Sequence, residues 1–74
     1  MDQDLIKKLG LEPTHTFNQT SFVNKTKGRL DIDVIVYDEF DKSGVRVAEV
    51  TIHDTTERYP PFSREIYLES RVKV

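Results

Sequence analysis

The segment 29–37 constrains the fold most strongly, because its apolar residues recur at every second position. The alternating residues are Leu30, Ile32, Val34 and Val36. This period of two is typical of a strand that buries one face. The segment 41–44, Asp-Lys-Ser-Gly, predicts a turn. After it the apolar alternation resumes with Ala48, Val50 and Ile52, so we expect an antiparallel hairpin.

Matching the apolar faces of these two strands predicts their register. The predicted partners are Val36 with Ala48, Val34 with Val50, and Ile32 with Ile52. A shift by one residue would turn every apolar side chain to the opposite face.

Other segments complete a small α+β fold. Asp2 or Asp4 is a suitable helix cap, and Gly10 is a suitable stop. The intervening helix would dock its apolar residues Leu5, Ile6 and Leu9 on the sheet. Residues 14–24 predict an edge strand followed by a polar turn over 24–28, and residues 66–74 predict a final strand. We therefore expect a short N-terminal helix packed on a four-stranded, mostly antiparallel sheet. The alternative is a small bent-sheet β-barrel.

Length and charge limit what such a fold does. A chain of 74 residues buries roughly 62% of its surface, which predicts one domain over residues 1–74 with a thin core. Eleven basic residues against 13 acidic ones argue against a general nucleic-acid coat. No apolar run is long enough to cross a membrane. The first residues lack the pattern of a signal peptide, so a cytoplasmic location is expected.

Catalysis is not expected from these residues. The chain has no cysteine, and no Ser, His and Asp are spaced as a nucleophile, a base and an orienting group. The three glycines form no phosphate loop. His53 is predicted opposite Asp31, which we interpret as a surface ion pair, and nothing in the spacing brings His15 alongside to complete a metal site. We expect no enzyme, cofactor or metal.

A contact surface is the favoured functional hypothesis. In the predicted register, four apolar side chains lie together on the outer face near the hairpin tip, namely Ile35, Tyr37, Val45 and Val47. Such a patch is covered either by the aromatic loop at 59–62 or by a partner. The partner would be another protein or a second copy of the chain.

The alternative hypothesis is single-stranded nucleic-acid binding on the outer face of the last strand. If the first and last strands pair, aromatic and basic side chains share that face, namely Phe22, Lys25, Lys27, Tyr67, Arg71 and Lys73. Acidic residues on the same face, among them Glu69 and Glu49, would repel phosphate.

Overall fold

The computed structural model describes all 74 residues as one helix followed by four strands. The elements are α1 (Gln3–Lys8), β1 (Thr16–Lys27), β2 (Leu30–Phe40), β3 (Arg46–Glu57) and β4 (Arg64–Lys73). The strands form one antiparallel sheet in the order β1-β2-β3-β4. This confirms the predicted α+β fold. The sheet stays open, since β1 and β4 lie at opposite edges and do not close a barrel.

The helix begins and ends where its sequence signals lie. The Asp2 carboxylate accepts a hydrogen bond from the N–H of Leu5 at 2.8 Å, which caps the first turn. Lys7 and Lys8 lie in the last turn, and Gly10 follows with a φ of 74°. A six-residue helix is not stable alone, so it depends on packing against the sheet.

The core joins the helix and the segment after it to the centre of the sheet. Ile6 and Leu11 pack against the sheet residues Tyr37, Val50 and Ile52. Partly buried side chains surround this cluster, namely Met1, Leu9, Phe17, Ile35, Ile66 and Leu68. The predicted docking of the helix is confirmed for Ile6 and Leu9, whereas Leu5 lies outside the cluster.

The predicted hairpin register is wrong by three residues. Ile35 pairs with Ile52 and Tyr37 pairs with Val50. Because the error is an odd number of residues, each side chain of β2 lies on the face opposite to the one predicted. Ile35 and Tyr37 face the helix, while the alternating column that begins at Leu30 lies on the other face.

The turn between β2 and β3 explains this register. The Asp41 side chain accepts hydrogen bonds from the N–H groups of Ser43 and Val45 at 2.8 and 3.0 Å. The Asp41 N–H donates to the Val45 carbonyl at 2.9 Å. The hairpin therefore closes between Asp41 and Val45, and a bulge at Val47 shifts the pairing by one residue more. The turn fits a register in which Ile35 and Tyr37, and not the predicted residues, match the apolar face of β3.

The first hairpin also differs from its prediction. β1 continues to Lys27, so the segment 24–27 belongs to the strand and is not a turn. The chain reverses at Gly28, whose φ is 58°. Both edge strands contain an irregularity, at Thr20 in β1 and at Glu69 in β4.

The two faces of the sheet are built differently. We call the face that packs against α1 the covered face and the opposite one the open face. The molecule measures 45 × 21 × 14 Å. Its smallest dimension is that of one sheet with one partial layer on it, because packed layers are about 10 Å apart. No helix or strand lies over the open face.

Candidate functional site

The four residues predicted to form a contact patch are not brought together. Ile35 and Tyr37 lie on the covered face, and Tyr37 belongs to the core with 9% of its surface exposed. Val45 is exposed in the turn, and Val47 lies in the bulge of β3. The error in register is the physical reason, because it moved Tyr37 from the outer face to the inner one.

The six residues of the alternative nucleic-acid face are also divided. β1 and β4 are opposite edges of the sheet, so their side chains do not adjoin. Those on the covered face are Phe22, Arg71 and Lys73, and those on the open face are Lys25, Lys27 and Tyr67. The single aromatic and basic face that this hypothesis requires is not formed.

The aromatic loop at 59–62 covers neither face of the sheet. Tyr59 and Phe62 are 54% and 60% exposed. The guanidinium of Arg29 lies 5.7 Å from the centre of the Tyr59 ring. The loop therefore extends beyond the end of the sheet and leaves the open face accessible.

His53 does not have its predicted surroundings. His53 lies between Val34 and Tyr67 on the open face, and its Nδ1 is 3.1 Å from the Tyr67 hydroxyl. The two rings meet edge to face at 5.4 Å, and a Glu69 oxygen lies 3.7 Å from the same nitrogen. Asp31 instead accepts a hydrogen bond from Asn24. No group of three His, Asp or Glu side chains is placed to hold a metal ion.

A buried carboxylate on the covered face is the strongest polar feature that sequence reasoning missed. Glu39 is fully buried, and Arg71 donates to its two oxygens at 2.8 and 3.0 Å. Nδ1 of His15 lies 2.6 Å from Oε2. An ionised carboxylate only accepts, so this nitrogen must carry the hydrogen and donate it.

The chemistry of this cluster favours a structural role. The hydrogen bonds from Arg71 lower the pKa of Glu39 against the opposing effect of burial, and the hydrogen bond from His15 lowers it further. Glu39 is thus held ionised by three donors, which makes it a weak base, and the cluster contains no nucleophile. The cluster ties the segment after the helix to β2 and β4. Its members lie 24 and 32 positions apart in the chain, so no local spacing predicts it.

One open pocket of about 290 Å³ lies beside this cluster. Its lining residues are Gly10, Leu11, Glu12, Leu68 and Arg71. Both charged groups in it already have partners within the chain. Arg71 binds Glu39, and hydrogen bonds from Thr14 lower the pKa of Glu12. The two charged side chains of the pocket are therefore already engaged within the chain.

The open face carries an uncovered apolar column. This β2 column consists of Leu30, Ile32, Val34 and Val36. Val23 of β1 lies next to Val34, and the His53–Tyr67 pair continues the same row toward β4. Leu30 and Val23 are 36% and 46% exposed. Ile32, Val34 and Val36 are half-buried between neighbouring strands, and no helix or strand lies over them, which makes the column the best candidate for a functional surface.

Charged side chains lie at both ends of this column. At the β2–β3 turn, Arg46 donates to Asp38 at 2.9 Å and to Glu49 at 3.5 Å. At the other end the two sides of the column differ in sign. Lys25 and Lys27 lie on the β1 side, and Glu57 and Glu65 lie on the β3 and β4 side.

Comparison with known proteins identifies no family and no relative for this chain. No protein-family model matches the chain, and no curated protein or solved structure matches it. The only helix is too short to span a membrane.

Proposed function

We propose that this chain is a non-catalytic interaction module that binds a protein through the open face of its sheet. The observation that carries the proposal is the β2 column, four consecutive outward-facing apolar residues with no layer of the chain over them. Small domains are built from two packed layers around an apolar interior. Here the helix and the sheet form the two layers, and the open face of the sheet has no layer over it.

The size of the open face suits a stable interface. The two larger dimensions of the molecule, 45 and 21 Å, bound the face at about 900 Å², and a standard interface buries about 800 Å² on each partner. The centre of the face is apolar and aromatic, with Val34, His53 and Tyr67 in one row. Tyrosine beside aliphatic residues is a common composition for the centre of an interface.

The polar clusters of the covered face support a role without catalysis. The Glu39 carboxylate is saturated by Arg71 and His15, and it anchors the segment after the helix. The proposal requires no cofactor and retains the cytoplasmic location expected from the sequence. The partner is another protein or a second copy of the chain.

A single introduced cysteine tests whether the open face is occupied. The chain has no cysteine of its own, so Val36→Cys places one reactive thiol in the middle of the face with little change in volume. Ser43→Cys, in the exposed β2–β3 turn, is the matched control. The rate of thiol labelling is measured in dilute purified protein, in concentrated purified protein and in a cell extract containing dilute protein.

We expect labelling of residue 36 to slow at least tenfold relative to residue 43 in one of the last two samples. Protection in concentrated purified protein means that the chain covers its own face. Protection only in the extract means that a different protein covers it. A ratio of the two labelling rates that stays the same in all three samples would show that the open face is free and that the proposed function is wrong.

A further inference from the structure

Four unpaired charges lie at one end of the open face in a self-complementary arrangement. Lys27 and Glu57 are both partners of Leu30, on its two sides, and Lys25 shares the next row with Glu65. None of the four makes a salt bridge within the chain. Positive charge therefore lies on one side of the β2 column and negative charge on the other, at the same height along the strands.

A two-fold axis parallel to the strands would pair these charges between two copies. Such an axis, placed over the β2 column, exchanges the two sides of the column but keeps each row at its height. β1 of one copy then faces β3 of the other, so Lys27 meets Glu57 of the second copy. Lys25 reaches the neighbourhood of Glu65 by the same operation. Every contact occurs twice because a two-fold interface is self-complementary.

A two-fold axis perpendicular to the strands does not achieve this pairing. It reverses the rows, so that Lys27 would face the region of Ser21 and Glu57 would face the region of Thr51. All four charges would then be desolvated without partners, which is costly. Charge complementarity therefore selects the parallel axis.

The remaining contacts of this arrangement are compatible with burial. The β2 column of one copy packs on that of the other, with Val34 against its own counterpart. Facing sheets rotate by about 30°, an offset that flexible lysine side chains span. At the far end, Arg46 pairs with Asp38 and Glu49 within each copy and reduces their two negative charges to one, which weakens the repulsion between the two acidic ends.

We infer that the partner on the open face is a second copy of this chain, packed face to face about a two-fold axis parallel to the strands. The inference rests on the proposed function and specifies its partner. The product is an eight-stranded, two-sheet sandwich in which both β2 columns form a shared second core. The two helices then cover its outer faces.

A charge-swap experiment tests the pairing directly. One variant carries Lys25→Glu with Lys27→Glu, and the other carries Glu57→Lys with Glu65→Lys. In each variant alone, facing charges repel. In the mixed pair, glutamates of one variant face lysines of the other on both sides of the axis. The dimerisation constant is measured by sedimentation or light scattering, and circular dichroism checks that each variant is folded.

We expect each variant alone to dimerise at least tenfold more weakly than the original chain, and the equimolar mixture to recover to within about threefold. The matched control is Lys42→Glu with Lys73→Glu, which makes the same charge change in the turn and on the covered face. Neither lysine makes a salt bridge, so this variant should dimerise as the original chain does.

Three results would overturn the inference, and each separates it from the proposed function. A dimer unaffected by either charge variant would place self-association elsewhere, such as at the β1 edge. Loss in both variants without recovery in the mixture would exclude the parallel axis. A chain that stays monomeric at millimolar concentration, with residue 36 protected in extract, would leave the proposed function intact with a different protein as its partner.

Discussion

The two faces of this sheet contain similar apolar residues but have different surroundings. On the covered face Ile52 is 1% exposed, because α1 and the segment after it close over the centre of the sheet. On the open face Val23 is 46% exposed, and Ile32, three positions from Ile35 in the same strand, has only strand neighbours. The difference lies in the layer above the strands and not in the strands themselves.

This comparison shows that alternation alone does not identify the buried face. β2 has apolar side chains on both of its faces, and the helix packs against the face that contains Ile35 and Tyr37. The same face contains Glu39, whose burial is tolerated because Arg71 and His15 donate hydrogen bonds to its carboxylate. The residues with the cleaner alternation lie on the open face.

The largest expected effect is a difference in unfolding free energy between two matched substitutions, one on each face of the sheet. Ile52→Ala removes a fully buried side chain and should lower the free energy of unfolding by about 3 kcal/mol. Ile32→Ala, on the open face, should cost less than about 1 kcal/mol in dilute protein. Urea unfolding of both variants provides the measurement. Equal losses would mean that some part of the chain covers the open face.

Arg71→Ala should give the second largest loss, about 2 kcal/mol, because it leaves the buried Glu39 carboxylate with His15 alone. This value lies below that of a fully buried pair, since the Arg71 side chain is 33% exposed. Arg64→Ala is the control, because Arg64 makes a similar two-bond pair with Asp54 at a more exposed position. A loss for Arg64→Ala as large as that for Arg71→Ala would contradict a special role for the buried cluster.

More of the fold than of the candidate site could be predicted from the sequence. The helix has local signals at both ends, Asp2 and Gly10, and the hairpin has a turn sequence between two alternating segments. The register depends on the Asp41 hydrogen bonds and on the bulge at Val47, which shift the pairing without altering the alternation. The alternation is equally compatible with the wrong register.

The predicted contact patch depended on the predicted register, so its four residues do not lie together in the structure. The apolar surface that no helix or strand covers is the β2 column and not the patch around Tyr37. The Glu39 cluster was not predicted because its cations come from distant segments of the chain. Only the tertiary fold brings His15, Glu39 and Arg71 together.

Acid should weaken the covered face through Glu39. The pKa of Glu39 is lowered in the folded state by Arg71 and then by His15, so the ionised form favours folding. This stabilisation is complete above the ordinary value of 4.5 and is lost as the pH falls through the lower folded pKa. Asp54, whose pKa Arg64 lowers, adds a contribution of the same sign.

We therefore expect the stability gap between the original chain and Glu39→Gln to shrink as the pH falls below about 4.5. The gap should be smaller than the loss from Arg71→Ala, because the glutamine still accepts a hydrogen bond. Urea unfolding of dilute, monomeric protein between pH 3 and pH 7 measures it, and Glu65→Gln, at an exposed carboxylate without a salt bridge within the chain, is the control. A gap that stays constant over this range would show that Glu39 is not ionised in the folded protein.

The smallest expected effect concerns the end of the helix that forms the covering layer. Asp2→Ala removes the acceptor for the Leu5 N–H and should cost about 0.5–1 kcal/mol of folding free energy. Asp2→Asn retains a side-chain oxygen at that position and should recover most of the loss. Because Ile6 is held in the core by this short helix, fraying at Asp2 should also speed hydrogen exchange at the Ile6 amide. Amides in the middle of β2 should exchange as before, since the sheet does not depend on the cap. An equal increase in β2 would mean that helix and sheet unfold as one unit and that the covering layer has no separate stability.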